Sequence, residues 1–264
     1  MEELKTLYRH RQLIAALTGR DLKARYRGSI LGFFWSLANP LLLLAVYTLV
    51  FTKFFERPGG VTPYPLFLFV GILPWTFFSA AVLESTTSIS SNAGLIKKVM
   101  FPAEALPLVV VSSHLVHFAL AVPVLLAAKV AYTLMGRTTM NATILLVPVL
   151  MLLQAMFVAG IAMCVSSASI LFRDLRDIIA NLLQLGFFIT PIIYAVNEIQ
   201  SGALRALLRV NPMTPFIVAY QDLVFYGRLP GTSDTLLIVA YSLFSITAGI
   251  TVFDRLRDTL AEAI

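Results

Sequence analysis

His114 and His117 stand three residues apart, a spacing that puts two imidazoles on one helical face. Such a pair could begin a metal site, but no third ligand lies nearby in sequence, and Cys164 is the only cysteine. A structural or pore-facing role for the pair is favoured over metal binding. No Gly is followed by Lys, so the chain has no G-x-x-x-x-G-K-[ST] phosphate loop of its own. No serine, histidine and carboxylate set suggests a nucleophilic site. Asn141-Ala142-Thr143 matches a glycosylation sequon, a weak signal from one tripeptide. The strongest concentration of chemistry is cationic: Arg20, Lys23, Arg25 and Arg27, broken only by Asp21. Guanidinium and ammonium groups at that density can hold a phosphate or diphosphate, or the headgroups of anionic lipid.

What positions this cluster is a membrane. From Gly28 to Thr52 there is no Asp, Glu, Lys, Arg or His. The chain of 264 residues is 58% hydrophobic and 13% charged, with a mean hydropathy of +0.84, against about 25% charged residues in soluble domains. The net charge of +6 lies at the ends of apolar runs, which reads as orientation signal and lipid contact, not as a nucleic-acid surface. The continuous apolar runs predict helices, since lipid offers the backbone no partner. The expected fold is all-α and integral to the membrane, a single transmembrane domain over 1–264. Its six spans are expected at 28–55, 64–88, 105–132, 142–172, 178–197 and 233–254.

Lys and Arg decide the orientation. Lys5, Arg9, Arg11, the Arg20–Arg27 cluster, Lys97, Lys98, Arg173, Arg176, Arg255 and Arg257 fall on one side. Lys53, Arg57, Lys129, Arg137, Arg205, Arg209 and Arg228 fall on the other. The bias predicts both termini in the cytoplasm, with Phe33, Phe34 and Trp35 near the inner interface. Residues 3–18 carry Leu4, Leu7, Tyr8, Ile14 and Leu17 at helical spacing, the mark of an amphipathic interface helix within a segment over 1–27. In "SSNAGLIKKVMFPAEALP", Ser90 or Asn92 can cap a short cytoplasmic helix with Leu95, Ile96, Val99 and Met100 on one face and Lys97 and Lys98 on the other, stopped at Phe101-Pro102. Its apolar face calls for a partner, either headgroups or another subunit. "LFRDLRDI" sets Arg173, Asp174, Arg176 and Asp177 where they can pair within a helical turn. Residues 198–232 are long for a loop and contain the apolar "NPMTPFIVAYQ", too short to span, which suggests outer re-entrant helices. Pro191 is expected to break the fifth span before Tyr194.

The spans hold almost no carboxylates, with Glu84 and Glu104 at their edges, which argues against an ion-coupled carrier. An integral membrane glycolipid enzyme would need paired carboxylates or metal ligands at the interface. What remains is a membrane scaffold driven by an outside motor.

The run "RDLKARYRGSILGFFWSLANPLLLLAVYTLVFTKFF" resembles the opening of permease subunits of ABC exporters for lipid-linked polysaccharides, within the type-2 ABC permeases. The spacing R-Y-x-x-S-x-L-G-x-x-W-x-x-x-x-P is present as Arg25, Tyr26, Ser29, Leu31, Gly32, Trp35 and Pro40. "LFVGILPWTFF", "LIKKVMFPAEALP", "LFRDLRDI" and "VNPMTPFI" are similar to the family in the same order. The resemblance implies a homodimer with two separate nucleotide-binding ATPase subunits, which would carry the ATP and Mg, this chain holding no cofactor. It implies that Leu95, Ile96, Lys97, Lys98, Val99, Met100 and Phe101 form the coupling helix to the ATPase. The implied substrate is an O-antigen, capsule or teichoic acid type glycan on a polyprenyl diphosphate, exported from the inner leaflet of a bacterial cytoplasmic membrane. Arg20, Lys23, Arg25 and Arg27 are then candidates for its diphosphate. Tyr47, Phe51, Phe187, Phe188 and Tyr194 are candidate channel aromatics, and Pro212, Pro215, Phe216, Tyr220 and Tyr226 a candidate outer gate. A type-2 ABC permease for a drug or another lipid is the alternative.

Overall fold

The computed structural model describes residues 11–25, 27–29, 34–51, 61–92, 94, 102–172, 174–199, 201–203, 208 and 210–263. Regular structure among them is helical throughout. Helix α1 is Arg11–Arg25, α2 is Trp35–Leu49, α3 is Tyr64–Ser85 and α4 is Ala105–Leu134. A 3-10 stretch, Ala142–Leu146, leads into α5, Val147–Leu171. Then come α6, Leu175–Ile189, the short α7, Thr214–Tyr220, and α8, Thr232–Ala263.

Four segments are long and apolar enough to cross a bilayer: Tyr64–Ser85, Ala105–Leu134, Ala142–Leu171 and Thr232–Leu256. Helix α2 lies in a further uncharged run, and α6 is free of charge after Arg176 and Asp177, but each has 15 residues, roughly 22 Å of helix against a hydrocarbon core of about 30 Å. Helix α6 stops where Pro191 withholds its N–H. The irregular backbone that follows is enclosed in protein, with Thr190 and Ile192 fully buried. Non-helical chain at membrane depth is tolerable on those terms.

Helix α3 is the hub. It is apolar all round, as a helix surrounded by others must be, and within it Leu66, Phe67 and Phe69 have no exposed surface. It packs against α2, α4, α5, α6 and α7. Pro65 falls in its first turn, where no intrahelical donor is lost. Helices α5 and α8 form the closest pair. A Cβ built on Gly160 would collide with the Ser245 backbone, and one on Gly249 with the Gly160 carbonyl. The Ser245 hydroxyl donates to the Phe157 carbonyl at 2.7 Å and the Ser242 hydroxyl to Leu153 at 2.9 Å. Small residues and cross-helix hydroxyl bonds hold helices together where lipid supplies no hydrophobic drive.

The segment between α6 and α8 is pinned into the bundle by polar bonds. Gln154, a lone amide in an apolar run, donates to the Pro74 carbonyl at 2.9 Å and accepts from the Tyr220 hydroxyl at 3.0 Å. Gln221 donates to the Pro191 carbonyl at 2.7 Å, and Tyr64 to the Ile193 carbonyl at 2.8 Å. Asn211 accepts from the Met213 N–H at the start of α7. A π-helical turn, Gln221–Tyr226, follows α7 and ends on Gly227 at φ 66°. Lys129, fully buried on α4, donates to the Phe225 carbonyl at the end of that turn, at 3.1 Å.

Candidate functional site

Three elements meet at the C-terminal end of α3. The Arg25 guanidinium, in the last turn of α1, donates to Asp21 one turn back at 2.9 Å and to the Glu84 carboxylate on α3. The second oxygen of Glu84 accepts from the His114 Nε2 on α4 at 2.8 Å. His117 donates its Nδ1–H to the Ser113 carbonyl, its ring 6.2 Å from that of His114. Burial opposes the charge on Arg25, but Asp21 and Glu84 outweigh it and raise its pKa. A chain from arginine to carboxylate to histidine thus ties α1 to the bundle. It stands beside two cavities. One, of about 410 Å³, is lined by Arg25, Trp35, Asn39, Thr76, His114 and His117 together with apolar side chains. The other, of about 300 Å³, is lined by Arg20, Asp21, Glu84, Thr87, Ser88 and Asn92 among others.

The basic cluster therefore divides. Arg25 is committed to two carboxylates. Arg20, Lys23 and Arg27 are exposed and make no ion pair among the described residues. The helix that carries the cluster runs to Arg25, seven positions beyond the apolar pattern that ended at residue 18. The intended coupling residues Leu95, Ile96, Lys97, Lys98, Val99, Met100 and Phe101 lie outside the described residues. So do Phe33 and Arg173, and no ion pair joins Asp174, Arg176 and Asp177 among the described residues.

The candidate channel aromatics separate into packed and open rings. Phe51 meets Tyr64 edge-on at 4.7 Å and Tyr47 at 6.4 Å, both partly buried against the core. Phe187 turns inward onto Trp75, whereas Phe188 is 60% exposed. Tyr194 donates to the carbonyls of Phe188 and Ile189, capping the end of α6. Of the candidate gate residues, Pro215, Phe216 and Tyr220 are buried. Phe216 stacks on Phe157 at 5.2 Å, and Tyr220 meets Phe118 at 5.8 Å. Pro212 and Tyr226 are exposed, with the Arg228 guanidinium 4.9 Å from the Tyr226 ring centre.

Exposed polar side chains recur on the apolar helices α2, α3 and α6. Asp177, Asn181 and Gln184 share one face of α6, at spacings of four and three. Thr76 is the one exposed residue of α3, and Asn39 is exposed on α2. Sequence reasoning missed Glu84 as the shared partner of Arg25 and His114. No local signal points to it, since Glu84 stands 59 positions from Arg25 and 30 from His114. Sequence reasoning also missed the α6 stripe, whose period was hidden by the apolar residues around it.

Residues 12–225 match the ABC-2 type transporter family. The chain belongs to the ABC-2 type transporter family. Over 262 residues it is 37% identical to the O-antigen export system permease protein RfbA of Myxococcus xanthus, covering 99% of this chain and 98% of that one. A Klebsiella pneumoniae protein of the same name is 31% identical over 252 residues, 96% and 95% of the two chains. The polysialic acid transport protein KpsM of Escherichia coli is 21% identical over 246 residues, 93% of each. With its apolar helices, this member of the family is a multi-pass membrane protein. Its relatives carry the names of permeases and transport proteins.

Proposed function

We propose that the chain is the membrane subunit of an ATP-driven exporter of lipid-linked polysaccharide in a bacterial cytoplasmic membrane. The observation that carries this reading is the end-to-end similarity to O-antigen export permeases. The polysialic acid transport protein, also similar over nearly the full length, handles a polysaccharide by name as well. In this reading α2 and α6 complete six spans, both termini lie in the cytoplasm, and residues 198–232 form an outer re-entrant region. A chain of this size is too thin to enclose a sugar polymer alone, so two copies related by a two-fold axis form the conduit. A pair of separate ATPase subunits binds ATP and Mg and drives it.

The parts then have roles. Arg20, Lys23 and Arg27 keep their charge for a diphosphate or for anionic lipid at the inner headgroup level. Arg25 instead holds α1 against α3 and α4. Leu95–Phe101 joins the ends of α3 and α4, and its apolar residues enter a cleft on the ATPase. Force applied there reaches α1 through Glu84. The exposed polar faces of α2, α3 and α6, with Phe188, line the route of the glycan. Pro212 and Tyr226 rim its outer end, over a foundation of Pro215, Phe216 and Tyr220.

The assignment of Leu95–Phe101 is tested by replacing Val99 and Phe101 with Asp together. The expected outcome is an intact homodimer whose ATPase partner no longer responds to it. Coupled ATP hydrolysis at the wild-type level in Val99→Asp/Phe101→Asp would refute the assignment. The measurement is ATPase rate on the purified complex, with size-exclusion light scattering for the dimer.

A further inference from the structure

Among the described residues Lys129 is the one buried cation, 1% exposed on α4. It stands five residues before the end of that helix, a place from which a lysine ordinarily snorkels to the headgroups. Its side chain turns inward instead. The ammonium donates to the Phe225 carbonyl at 3.1 Å and lies 5.9 Å from the centre of the Phe225 ring. It makes no ion pair among the described residues, and the carboxylate of the same turn, Asp222, pairs with Arg228 at 2.7 Å.

The bond falls where a helix needs partners. The last carbonyls of a helical segment have none inside it, and the π-helical turn ends with Tyr226. Three of its carbonyls are met from outside. Asp222 accepts from the Arg228 N–H at 2.9 Å, Leu223 from the Thr143 hydroxyl at 2.8 Å, and Phe225 from Lys129. Tyr226 stands on this end, its ring perpendicular to Phe225 at 5.1 Å and 6.5 Å from Phe67 of α3. The first two bonds are neutral, and a neutral donor would cap Phe225 as well. An ammonium carries three donors, and one carbonyl with a ring face compensates it far less than water does. A hydrophobic side chain of the same length would hold the turn at least as firmly. The arrangement is therefore one the cation resists: a movement that lifts the turn off α4 lets water reach it. Turns of π geometry are rare and recur at functional sites.

We infer that Lys129 is a positioning residue of the outer rim: it fastens the end of the π-helical turn beside Tyr226 while the conduit is shut, and the hydration its ammonium gains when the turn lifts favours opening for the glycan. The inference rests on the exporter reading and adds to it a residue that sets how readily the outer end opens. A plain cap of the helix end, with no part in opening, is the competing role.

The test uses the chain with its ATPase in cells that depend on it for surface glycan. Lys129→Met keeps the length of the side chain and removes its charge. Export of surface glycan is expected to fall about tenfold, the rate effect of one poorly compensated buried charge. The complex should assemble at wild-type level, with a thermal midpoint in detergent at or above that of wild type. Lys129→Gln keeps a neutral donor and is expected to behave as Lys129→Met does. Val224, on the same turn, has no exposed surface. In a Cys164→Ser background, Val224→Cys should react with a charged, water-soluble maleimide while glycan is passing, and more slowly once Lys129→Met is added. A lower thermal midpoint in Lys129→Met, or wild-type export by Lys129→Gln, would make Lys129 a cap alone and overturn the inference. Unchanged export by Lys129→Met, or an inert thiol in Val224→Cys beside active export, overturns it too and leaves the exporter reading standing. A wild-type complex that exports no glycan overturns the exporter reading and the role of Lys129 with it.

Discussion

Gly160→Leu should leave little folded protein in the membrane. At Gly160 the backbone of α5 approaches that of α8 so closely that any side chain meets the Ser245 main chain, and Gly249 makes the reciprocal approach from the other helix. Neither obstacle is the far end of a flexible side chain, so the helices must separate. Separation also breaks the bonds from Ser245 to Phe157 and from Ser242 to Leu153. Overpacking of this kind costs about 1–3 kcal/mol, and the two hydrogen bonds add roughly 1 kcal/mol each. The sum is a large fraction of the stability of an ordinary domain. Gly19→Ala is the control. Its added Cβ meets nothing within 4 Å, and alanine favours the helix by about 1 kcal/mol over glycine. Thermal unfolding of the detergent-purified chain should show a clear loss for Gly160→Leu and none for Gly19→Ala. Equal behaviour of the two would mean that α5 and α8 do not pack through Gly160.

The second large effect is expected at Glu84. Glu84→Gln removes the one charge that, among the described residues, links α1 to both α3 and α4, leaving Arg25 its ion pair with Asp21. Glu84 is 37% exposed, so solvent screens the pair and its link to Arg25 contributes about 1 kcal/mol, with the His114 bond adding to it. Asp21→Asn removes an i, i+4 pair within one helix, worth about 0.5 kcal/mol or less, and leaves the tie between helices in place. A double-mutant cycle of Arg25→Ala and Glu84→Gln separates the link from general damage. If the two act through one another, the double variant loses no more stability than the worse single one. Export should fall with both singles, because α1 no longer follows the ends of α3 and α4. Additive losses would show that Arg25 and Glu84 serve separate purposes.

These two sites differ in how far sequence reaches them. Two of the long apolar runs carry helices of spanning length, Tyr64–Ser85 and Ala105–Leu134. Lipid demands length and apolarity from each helix by itself, so the signal is local. The proline signals were local too, and α6 ends before Pro191 while α7 begins with Thr214-Pro215. Helix α1 reaches Arg25, past its apolar pattern, for the complementary reason. Its apolar period fades after Leu17, and its last turns are held by Asp21 and by Glu84, the latter 59 positions away. The burial of Phe216 and Tyr220 was equally hidden. Both belong to a short apolar stretch that reads as re-entrant, and Gln154 and Phe157 on α5 and Phe118 on α4, all distant in sequence, make them core. On α6, Phe187 and Phe188 are indistinguishable as letters, and the neighbouring Trp75 decides which one is enclosed.

The central claim is that this chain is a passive conduit worked by a separate ATPase. It is tested most directly by reconstituting the purified chain in vesicles, with and without the ATPase, and following transfer of a lipid-linked glycan across the bilayer. The account predicts transfer only with both subunits and hydrolysable ATP, and none when the ATPase binds but cannot hydrolyse it. Sustained transfer by the chain alone, or transfer driven by an ion gradient without ATP, would contradict it.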